Sequence, residues 1–421
     1  MDVSSLNIDQ ELLERINPVF NTAKMTLFQL AATGDQDAIN IADKLGLTLE
    51  GTQGEMDAEE LLLNSIVLET RFRTIGAMAE KTDFATKVDM PCGYTPRAID
   101  FSKKGINYVG LDLPAAITEG KDAITGLIEA DKRKFVRFEG VDATNYDSLK
   151  KVFDEIKGEV CITTEGLLMY FTDSETGELC DNIRRILDSH GGCWLMADPE
   201  TALQYVMTAQ AIYGDRFMEI MLKGKKRAQD KSDVEVSSRT LVIDPSDPKQ
   251  NMENAMAFLA SHGLKAERLI VGDYVPELKS LKNATSSQIE MIKEAMQKFA
   301  YWKITPIEEI QIDTKEAKCE NFDLRAEFKR DSLTLHLCGR LDTLSSPGLL
   351  ALYEKTVGIF TIEEAVVDCS ELEYISSAGL RVLLIMQKRC KRGVTLTDIN
   401  DNIREILEQT GFDSILNIQD T

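Results

Sequence analysis

Carboxylates follow three successive predicted strands in the first half of the chain. Asp89 precedes a tight turn that ends in Gly93. Asp112 follows the second strand and Asp142 the third. Ligands of an open parallel sheet bind beyond the carboxyl ends of its strands. A glycine turn lets the backbone approach a nucleotide closely. Each aspartate alone is a common cap or turn former, but three in register predict a nucleoside site.

The spacing suggests a role for two of these carboxylates. Asp112 lies about twenty residues after the glycine turn, where an ionised carboxylate can accept hydrogen bonds from both hydroxyls of a ribose. Asp142 is placed to accept from an exocyclic adenine amine.

Two neighbouring serines, Ser376 and Ser377, open a predicted helix near the end of the chain. A hydroxyl at this position can cap the orphan amides of the first turn. It can also be a phosphoacceptor, since phosphorylation adds negative charge at a helix N terminus. Both interpretations stay open on the residues alone.

Composition narrows the classes of function. A chain of 421 residues predicts two or more domains. The net charge of -22 argues against a nucleic-acid or membrane-surface partner, and the basic stretch 223–231 is read as a solvated helix face. No apolar run is long enough to span a bilayer, and the start of the chain is acidic, so we expect a soluble cytoplasmic protein.

Histidine and cysteine usage restricts the chemistry. Eight cysteines are scattered without a C-x-x-C pair and are expected to be reduced core thiols. Only three histidines occur, which disfavours a Ser-His-Asp triad or a zinc site, and no metal is predicted. Carboxylates, hydroxyls or a bound cosubstrate must therefore do the chemistry.

The elements that position these residues follow from periodicity. Residues 8–80 have helical spacing, and from Thr86 short apolar runs alternate with amphipathic helices, which predicts an α/β fold with a parallel sheet. Residues 201–238 return to helical spacing. An acidic stretch, 306–321, is interpreted as a linker. The expected domains are 1–305, with a helical extension over 1–80, and 322–421.

The first domain resembles the leucine carboxyl methyltransferase-like family of class I S-adenosylmethionine-dependent methyltransferases. Five segments carry the resemblance: FRTIG (72–76), VDMPCGYTPR (88–97), GLDLPAAI followed by Lys121, VDATN (141–145) and TEGLLMYF (164–171). The resemblance implies a Rossmann-like sheet and S-adenosylmethionine as cosubstrate. One departure is Pro91, which stands where the family has the first glycine of G-x-G and removes one backbone donor.

Site residues follow from the same resemblance. Arg73 would pair with the methionyl carboxylate, as a planar guanidinium does well. Gly93 would cradle the methionyl part, Asp112 would hold the ribose, Asp142 the adenine amine, and Glu165 the floor of the pocket.

The remaining contacts complete the expected site. The resemblance adds Asp89, Leu113, Ala143 and Gly166 to the cosubstrate contacts and places Tyr170 against the methyl acceptor. A small-molecule acceptor is expected. Methyl transfer needs no base when the acceptor is already a carboxylate, and the scarcity of histidine favours a carboxylate over a hydroxyl.

A helical lid over the acceptor is a further expectation. The segment 201–238 is rich in apolar side chains that could cover the acceptor. Plain core packing is the alternative, because an apolar stripe at helical spacing usually faces a core. The side chains in question are Tyr205, Met207, Tyr213, Met218 and Met221.

The last domain resembles STAS domains, the anti-sigma-factor-antagonist modules. CGRLDT (338–343) and VVDCSELEYISSAGLRVLL (366–384) carry the resemblance. It implies that Ser377 is the target of a serine kinase, with Asp342 nearby, and that an anti-sigma factor is a partner. Ser376 stands where the family often has Asp, so either serine could be modified.

Three hypotheses remain for the whole chain. The first is a small-molecule O-methyltransferase whose STAS domain responds to a signalling partner. The second is a sensor of S-adenosylmethionine or a related metabolite that acts by partner switching. In the third, the STAS domain only joins enzyme copies into a homo-oligomer.

Overall fold

The first five strands after Thr86, which alternate with helices, lie parallel in one sheet. The computed structural model describes residues 23–47, 57–218, 220, 240–329, 331–360 and 362–419. The chain divides into two units, residues 1–259 with 265–305, and residues 260–264 with 306–421. Each unit is built around its own sheet.

The sheet of the first unit has seven strands in the order β3-β2-β1-β4-β5-β7-β6. Strands β1 to β5 are parallel, which confirms the predicted α/β fold. Strand β7 runs antiparallel to β5. The strands are β1 Thr86–Asp89, β2 Asn107–Asp112, β3 Val136–Gly140, β4 Val160–Thr164, β5 Gly192–Met196, β6 Leu264–Ile270 and β7 Ala300–Pro306.

Ten helices of this unit accompany the strands in the described residues. Local capping explains several of their starts: Asp35 and Asp57 accept from first-turn amides, and Thr172 forms a capping box with Glu175. The helices are α1 23–32, α2 Gln36–Lys44, α3 Ala58–Glu80, α4 Arg97–Lys103, α5 Pro114–Thr125, α6 Tyr146–Phe153, α7 Asp173–His190, α8 Thr201–Tyr213, α9 Pro248–Ser261 and α10 Ser286–Met296.

The order of strands fixes where a ligand can bind. The chain moves outward from β1 through β2 to β3 and then returns to place β4 on the other side of β1. At such a switch point the loops beyond adjacent strands diverge and leave a crevice. The loops after β1, β2 and β4 therefore border one opening.

The second unit is a six-stranded sheet with three helices. The strand order is β13-β12-β11-β10-β9-β8. Strands β9 and β10 pair antiparallel as a hairpin, while β10, β11, β12 and β13 are parallel neighbours. The elements are β8 Glu309–Ile312, β9 Phe322–Lys329, β10 Ser332–Leu341, α11 Ser346–Ile359, β11 Glu364–Ile375, α12 Ser377–Arg389, β12 Gly393–Thr397, α13 Asp401–Thr410 and β13 Asn417–Gln419.

The linker prediction for 306–321 was wrong in part. Residues Glu309–Ile312 form the edge strand β8, which pairs antiparallel with β9 from Glu309↔Lys329 to Ile312↔Ala326. Alternate residues Ile310 and Ile312 pack on the core of the second unit. The acidic composition hid this period of two, because only two apolar residues mark it.

The predicted helical segment 201–238 is helical over α8, and residues 221–239 lie outside the described part, as does the basic stretch 223–231. Helix α8 packs against α3 and α10. The described helices include none long and apolar enough to cross a membrane. All eight cysteines are free thiols, and six are buried.

A glycine in the second unit gives a test of packing. A Cβ on Gly379 would lie 2.7 Å from Leu341 Cγ and 2.8 Å from the Leu341 carbonyl oxygen. Gly379→Ala should therefore destabilise the second unit by about 2 kcal/mol through overpacking. Gly358→Ala is the matched control, since nothing lies within 4 Å of its Cβ in α11. The control should raise stability by about 0.5–1 kcal/mol.

Scanning calorimetry of the full chain measures both variants. A Gly379→Ala midpoint equal to that of the unsubstituted protein would contradict the close approach of α12 to the end of β10.

Candidate functional site

A cleft opens at the carboxyl ends of β1 to β4, as the strand order requires. Its empty volume is about 1110 Å³, including the part that is open to solvent. The structure brings eight of the ten sequence-predicted first-unit site residues to this cleft. They are Gly93, Asp112, Leu113, Asp142, Ala143, Glu165, Gly166 and Tyr170.

The turn after β1 is closed onto Asp112. Gly93 adopts a positive φ of 51°, which favours glycine because a side chain is strained there. Its amide donates to Asp112 Oδ2 over 2.8 Å, and the Leu113 amide donates to Asp112 Oδ1 over 2.8 Å. The Cys92 amide donates to the Leu111 carbonyl over 2.9 Å. With Pro91 lacking an N–H, residues 91–93 keep no unused amide donor.

Burial raises the pKa of Asp112 from 3.8 to about 6, although the hydrogen bonds from the Gly93 and Leu113 amides oppose that rise. Each carboxylate oxygen has two lone pairs, so both can still accept from a ligand. Asp112 can therefore accept from two hydroxyls, and its carboxylate loses its charge in mildly acidic solution.

The loop after β3 is held from two sides. Asp142 Oδ1 accepts from the amide and hydroxyl of Thr144 at 2.9 and 2.7 Å, while its side chain is exposed at the cleft. Asn182 on α7 donates to the carbonyls of Ala143 and Thr144 at 3.0 and 2.9 Å. Asn182 could not be predicted from the sequence, because only the fold brings α7 beside this loop.

A buried network of charges forms the wall between β1 and β4. Arg97 Nη1 donates to both oxygens of Asp89, over 2.8 and 2.9 Å. Arg97 Nη2 donates to Glu165 Oε1 over 2.9 Å. Burial lowers the pKa of Arg97, but Asp89 and Glu165 more than offset this and raise it. Asp89 is 1% exposed and also accepts from Tyr108 and Thr163.

Asp89 was expected to contact the cosubstrate and does not line the cleft. Strand β1 has neighbours on both sides, and the Asp89 side chain turns back into the core, where Arg97 neutralises it. Its place is behind the cleft, where it holds Arg97 against Glu165. Arg97 belongs to the segment VDMPCGYTPR, but no role was predicted for it.

Glu165 keeps one uncommitted oxygen at the cleft. Its side chain is 8% exposed, and Oε2 has no hydrogen-bond partner in the described residues. Arg71 is an ion-pair partner of this oxygen, with Nε 3.7 Å from Oε2. A buried carboxylate oxygen without a donor is costly, so a cationic or N–H-bearing ligand group fits there.

The prediction for Arg73 is not supported by its position, and Arg71 takes its place at the cleft. On a helix, residues two apart point in nearly opposite directions, because each residue turns about 100°. Arg73 instead donates to Glu69 Oε1 over 2.6 Å and to Asp35 Oδ2 over 2.7 Å. It ties α3 to the start of α2.

Asp198, which sequence reasoning missed, shapes the loop after β4. Its Oδ1 accepts from the Gly166 amide over 2.5 Å, and Oδ2 accepts from the amides of Leu167 and Leu168 over 2.9 Å each. Gly166 has a φ of 69°. The only signal in the sequence was an aspartate after the fifth strand, in MADPE.

The rim of the cleft is apolar and differs from the predicted lid. Met169, Tyr170 and Phe171 line the cleft, and so do Ala23 and Thr26 of helix α1. Tyr205, Met207, Tyr213 and Met218 do not line the cleft, and Met221 lies outside the described residues. Helix α8 packs on α3 and α10 instead. The described part of the segment 201–238 therefore fits the alternative interpretation, in which its apolar side chains face a core.

The two serines of the second unit are in different environments. Ser376 is the N-cap of α12, and its hydroxyl accepts from the Gly379 amide over 3.4 Å. Ser377 is the first residue of the helix and is exposed. The Ser376 amide donates to the Leu341 carbonyl over 2.9 Å, which places the loop of Asp342 beside the helix start.

Comparisons with known sequences identify the second unit. The family model described as Mlab, STAS domain matches residues 324–417. A segment of 53 residues, 12% of the chain, is 42% identical to a Bordetella bronchiseptica protein named anti-sigma factor antagonist BtrV. The chain spans about half (46%) of the length of that curated relative.

Solved structures resemble each unit. The unphosphorylated anti-sigma factor antagonist SpoIIAA covers 24% of this chain and 88% of its own, with 16% identity and a TM-score of 0.22. The plantazolicin methyltransferase BamL in complex with SAH covers 69% and 99%, with 10% identity and a TM-score of 0.29. Magnesium protoporphyrin IX methyltransferase from Synechocystis with bound SAH covers 64% and 93%, with 7% identity and a TM-score of 0.32.

The fold and the family match define the class of each unit. The first unit has a Rossmann-like sheet, with five parallel strands and, between β5 and β6, the antiparallel β7. The second unit is a STAS domain.

Exchanging each arginine of α3 for glutamine separates their roles. Arg71→Gln should weaken binding of S-adenosylhomocysteine by about 10- to 100-fold, as expected for loss of a charged hydrogen bond. Arg73→Gln should leave that affinity unchanged and lower the free energy of unfolding by about 3 kcal/mol, because the buried Glu69 loses its cation and keeps only the amides of Lys279 and Ser280 as donors. Calorimetric titration and thermal unfolding of both variants measure this. If Arg73→Gln weakened binding and Arg71→Gln did not, Arg73 would be the residue that contacts the nucleoside.

Acidic pH should weaken nucleoside binding through Asp112. With a pKa of about 6, Asp112 is ionised at pH 7.5 and largely protonated at pH 5. Affinity for S-adenosylhomocysteine should fall about tenfold between these values, since only about a tenth of the carboxylates stay charged. Asp112→Asn should bind weakly at both pH values. An unsubstituted protein whose affinity is constant from pH 7.5 to pH 5 would refute the role of Asp112.

Proposed function

We propose that the first unit is an S-adenosylmethionine-dependent O-methyltransferase acting on a small molecule. We also propose that the second unit, the STAS domain, binds a signalling partner under control of phosphorylation. The charge of the cleft carries the proposal. Among the described residues, three carboxylates line it, Asp112, Asp142 and Glu165, against one guanidinium, Arg71. The turn at residues 91–93 offers no unused amide donor. This donor set suits a cationic nucleoside and disfavours a phosphate-bearing one.

Each polar group of the cleft matches a part of that nucleoside. Asp112 accepts from the ribose hydroxyls, and Asp142 accepts from the adenine amine through its second oxygen. Arg71 binds the methionyl carboxylate, and Glu165 Oε2 accepts from the methionyl ammonium. The orphaned Glu165 oxygen fits this last role, because its alternative is an unsatisfied buried acceptor.

The chain's own residues would act by positioning. The cosubstrate supplies an activated methyl group on a sulfonium. Fixed ribose and methionyl contacts aim that methyl group at the rim, where Tyr170 and Met169 hold the acceptor in line. The apolar rim excludes water, which strengthens the attack of an anionic oxygen.

A carboxylate is the acceptor that the cleft favours. No histidine lines it, and its acidic residues are engaged by the backbone or by the nucleoside. A hydroxyl would need a base to become a nucleophile, whereas a carboxylate is already ionised at neutral pH. The proposed product is therefore a methyl ester.

Sensing without catalysis is the second candidate, and Pro91 favours it. Pro91 lines the cleft in place of the family's first glycine. Methyl transfer from radiolabelled S-adenosylmethionine to a panel of carboxylic acids, run beside calorimetric titration of the same preparation, separates the candidates. Turnover on an acid supports the enzyme. Tight binding without turnover on carboxylates or hydroxyls supports the sensor, and absence of binding contradicts both.

The proposed phosphoacceptor is Ser377, because the hydroxyl of the neighbouring Ser376 caps the helix by accepting from the Gly379 amide. Ser376→Ala should lower the free energy of unfolding by about 1 kcal/mol through loss of the cap, while Ser377→Ala should leave stability unchanged. Mass spectrometry of the chain isolated from its host should locate phosphate on Ser377. Phosphate found on Ser376 instead would overturn the assignment.

A partner-switching role predicts independence of the two sites. Ser377→Asp should reduce capture of the STAS partner by adding negative charge at the N terminus of α12. Affinity for S-adenosylhomocysteine should stay the same. A tenfold change in that affinity would show that the two units are energetically coupled.

A further inference from the structure

A second cavity lies in the first unit, away from the strand ends. It has an empty volume of about 1620 Å³, including the part open to solvent, and it shares no lining residue with the cosubstrate cleft. Helix α10 forms one wall, the segment 272–282 another, and residues 33–34 after helix α1 a third. The functions proposed above make no use of it.

The walls of this cavity combine an apolar floor with lysines. Ile289, Lys293 and Met296 lie on one face of α10, at spacings of four and three residues. Leu281 from the segment 272–282 adds to the apolar part. Three lysines face one acidic residue, Glu277, in a chain whose net charge is -22. A local excess of positive charge in so acidic a protein attracts an anion.

The lysines differ in how far they are already engaged. Lys279 Nζ lies 3.2 Å from Asp35 Oδ2, and Lys282 Nζ donates to the Thr33 carbonyl over 2.9 Å. Lys293 is exposed and forms no ion pair within the described residues. Lys293 can therefore bind an anion without giving up a partner, and Lys282 can add a second hydrogen bond from its ammonium group.

We propose that this cavity binds an amphiphilic carboxylate, a molecule with an aliphatic or aromatic body and one ionised carboxyl group. The body packs on Leu281, Ile289 and Met296. The carboxyl group accepts from Lys293 and Lys282. A purely apolar ligand would leave the lysines unused, and a small inorganic anion would leave the apolar floor exposed to water.

The position of this ligand connects it to the cosubstrate cleft. Thr33 and Gly34 at the cavity directly follow helix α1, whose first turn supplies Ala23 and Thr26 to the cleft. Helix α1 spans about 15 Å at 1.5 Å per residue. A carboxylate that fixes Lys282 against the Thr33 carbonyl also fixes α1 as a wall of the cleft. This regulatory coupling rests on the proposed function, whereas binding in the second cavity does not.

Titration of the full chain with octanoate tests the site. Octylammonium and octanol have the same chain length and serve as controls for charge. Octanoate should bind with one site per chain, at least tenfold more tightly than either control. Lys293→Gln should weaken octanoate about fivefold, the amount expected for one exposed ion pair. Lys298→Gln, an exposed lysine outside the cavity, should leave the affinity unchanged.

Equal affinity for octanoate and octylammonium, or octanoate binding that Lys293→Gln does not weaken, overturns the site. Both lysine variants are at exposed positions, so their thermal unfolding should match that of the unsubstituted protein.

Titration of S-adenosylhomocysteine with and without saturating octanoate tests the coupling. An affinity about fivefold higher with octanoate supports it, and octanoate must then bind about fivefold more tightly in the presence of the nucleoside. If octanoate leaves the affinity for S-adenosylhomocysteine unchanged, the proposed coupling is wrong, but the proposal that the second cavity binds octanoate is not affected. Failure of the nucleoside to bind under either condition refutes the proposed function, and the octanoate titration still decides the second cavity.

Discussion

The buried guanidinium of Arg97 holds together the wall on which the proposed nucleoside site depends. It bonds to Asp89 at the end of β1, to Glu165 after β4 and, over 2.9 Å, to the Phe72 carbonyl in α3. Loss of this cation would leave the buried Asp89 with only the hydroxyls of Tyr108 and Thr163, and Glu165 with only Arg71, which costs several kcal/mol. Because Arg97 occupies one oxygen of Glu165, the other oxygen and Arg71 are left to face the ligand.

Much of the fold was predictable from local pattern. Five strands with apolar runs and the helices between them follow directly from periodicity, and three strand-end residues, Gly93, Asp112 and Asp142, reach the cleft because parallel strands end at the same edge. Strands β7 and β8 were not predicted. Each pairs antiparallel with a strand whose partner cannot be read from short-range spacing, and β8 has only two apolar residues to mark it.

Site residues could be predicted where the end of a strand determines their position. They could not be predicted where the packing of helices determines which side chain faces the cleft. Helix α3 buries side chains on most of its circumference, including Glu69, Phe72 and Ile75, so its sequence gives no single inward face. The choice between Arg71 and Arg73 therefore needed the structure. Asn182 and Asp198 act through loops that are distant in sequence, and only the folded chain brings them to the site.

A crystal structure of the full chain with S-adenosylhomocysteine bound is the most direct test of the central claim, that groups from separate strand ends converge on one nucleoside. The account predicts the ribose hydroxyls on Asp112, the adenine beside Asp142, and the amino-acid end between Arg71 and Glu165. A nucleoside bound elsewhere on the chain, or one whose carboxylate contacts Arg73, would contradict it.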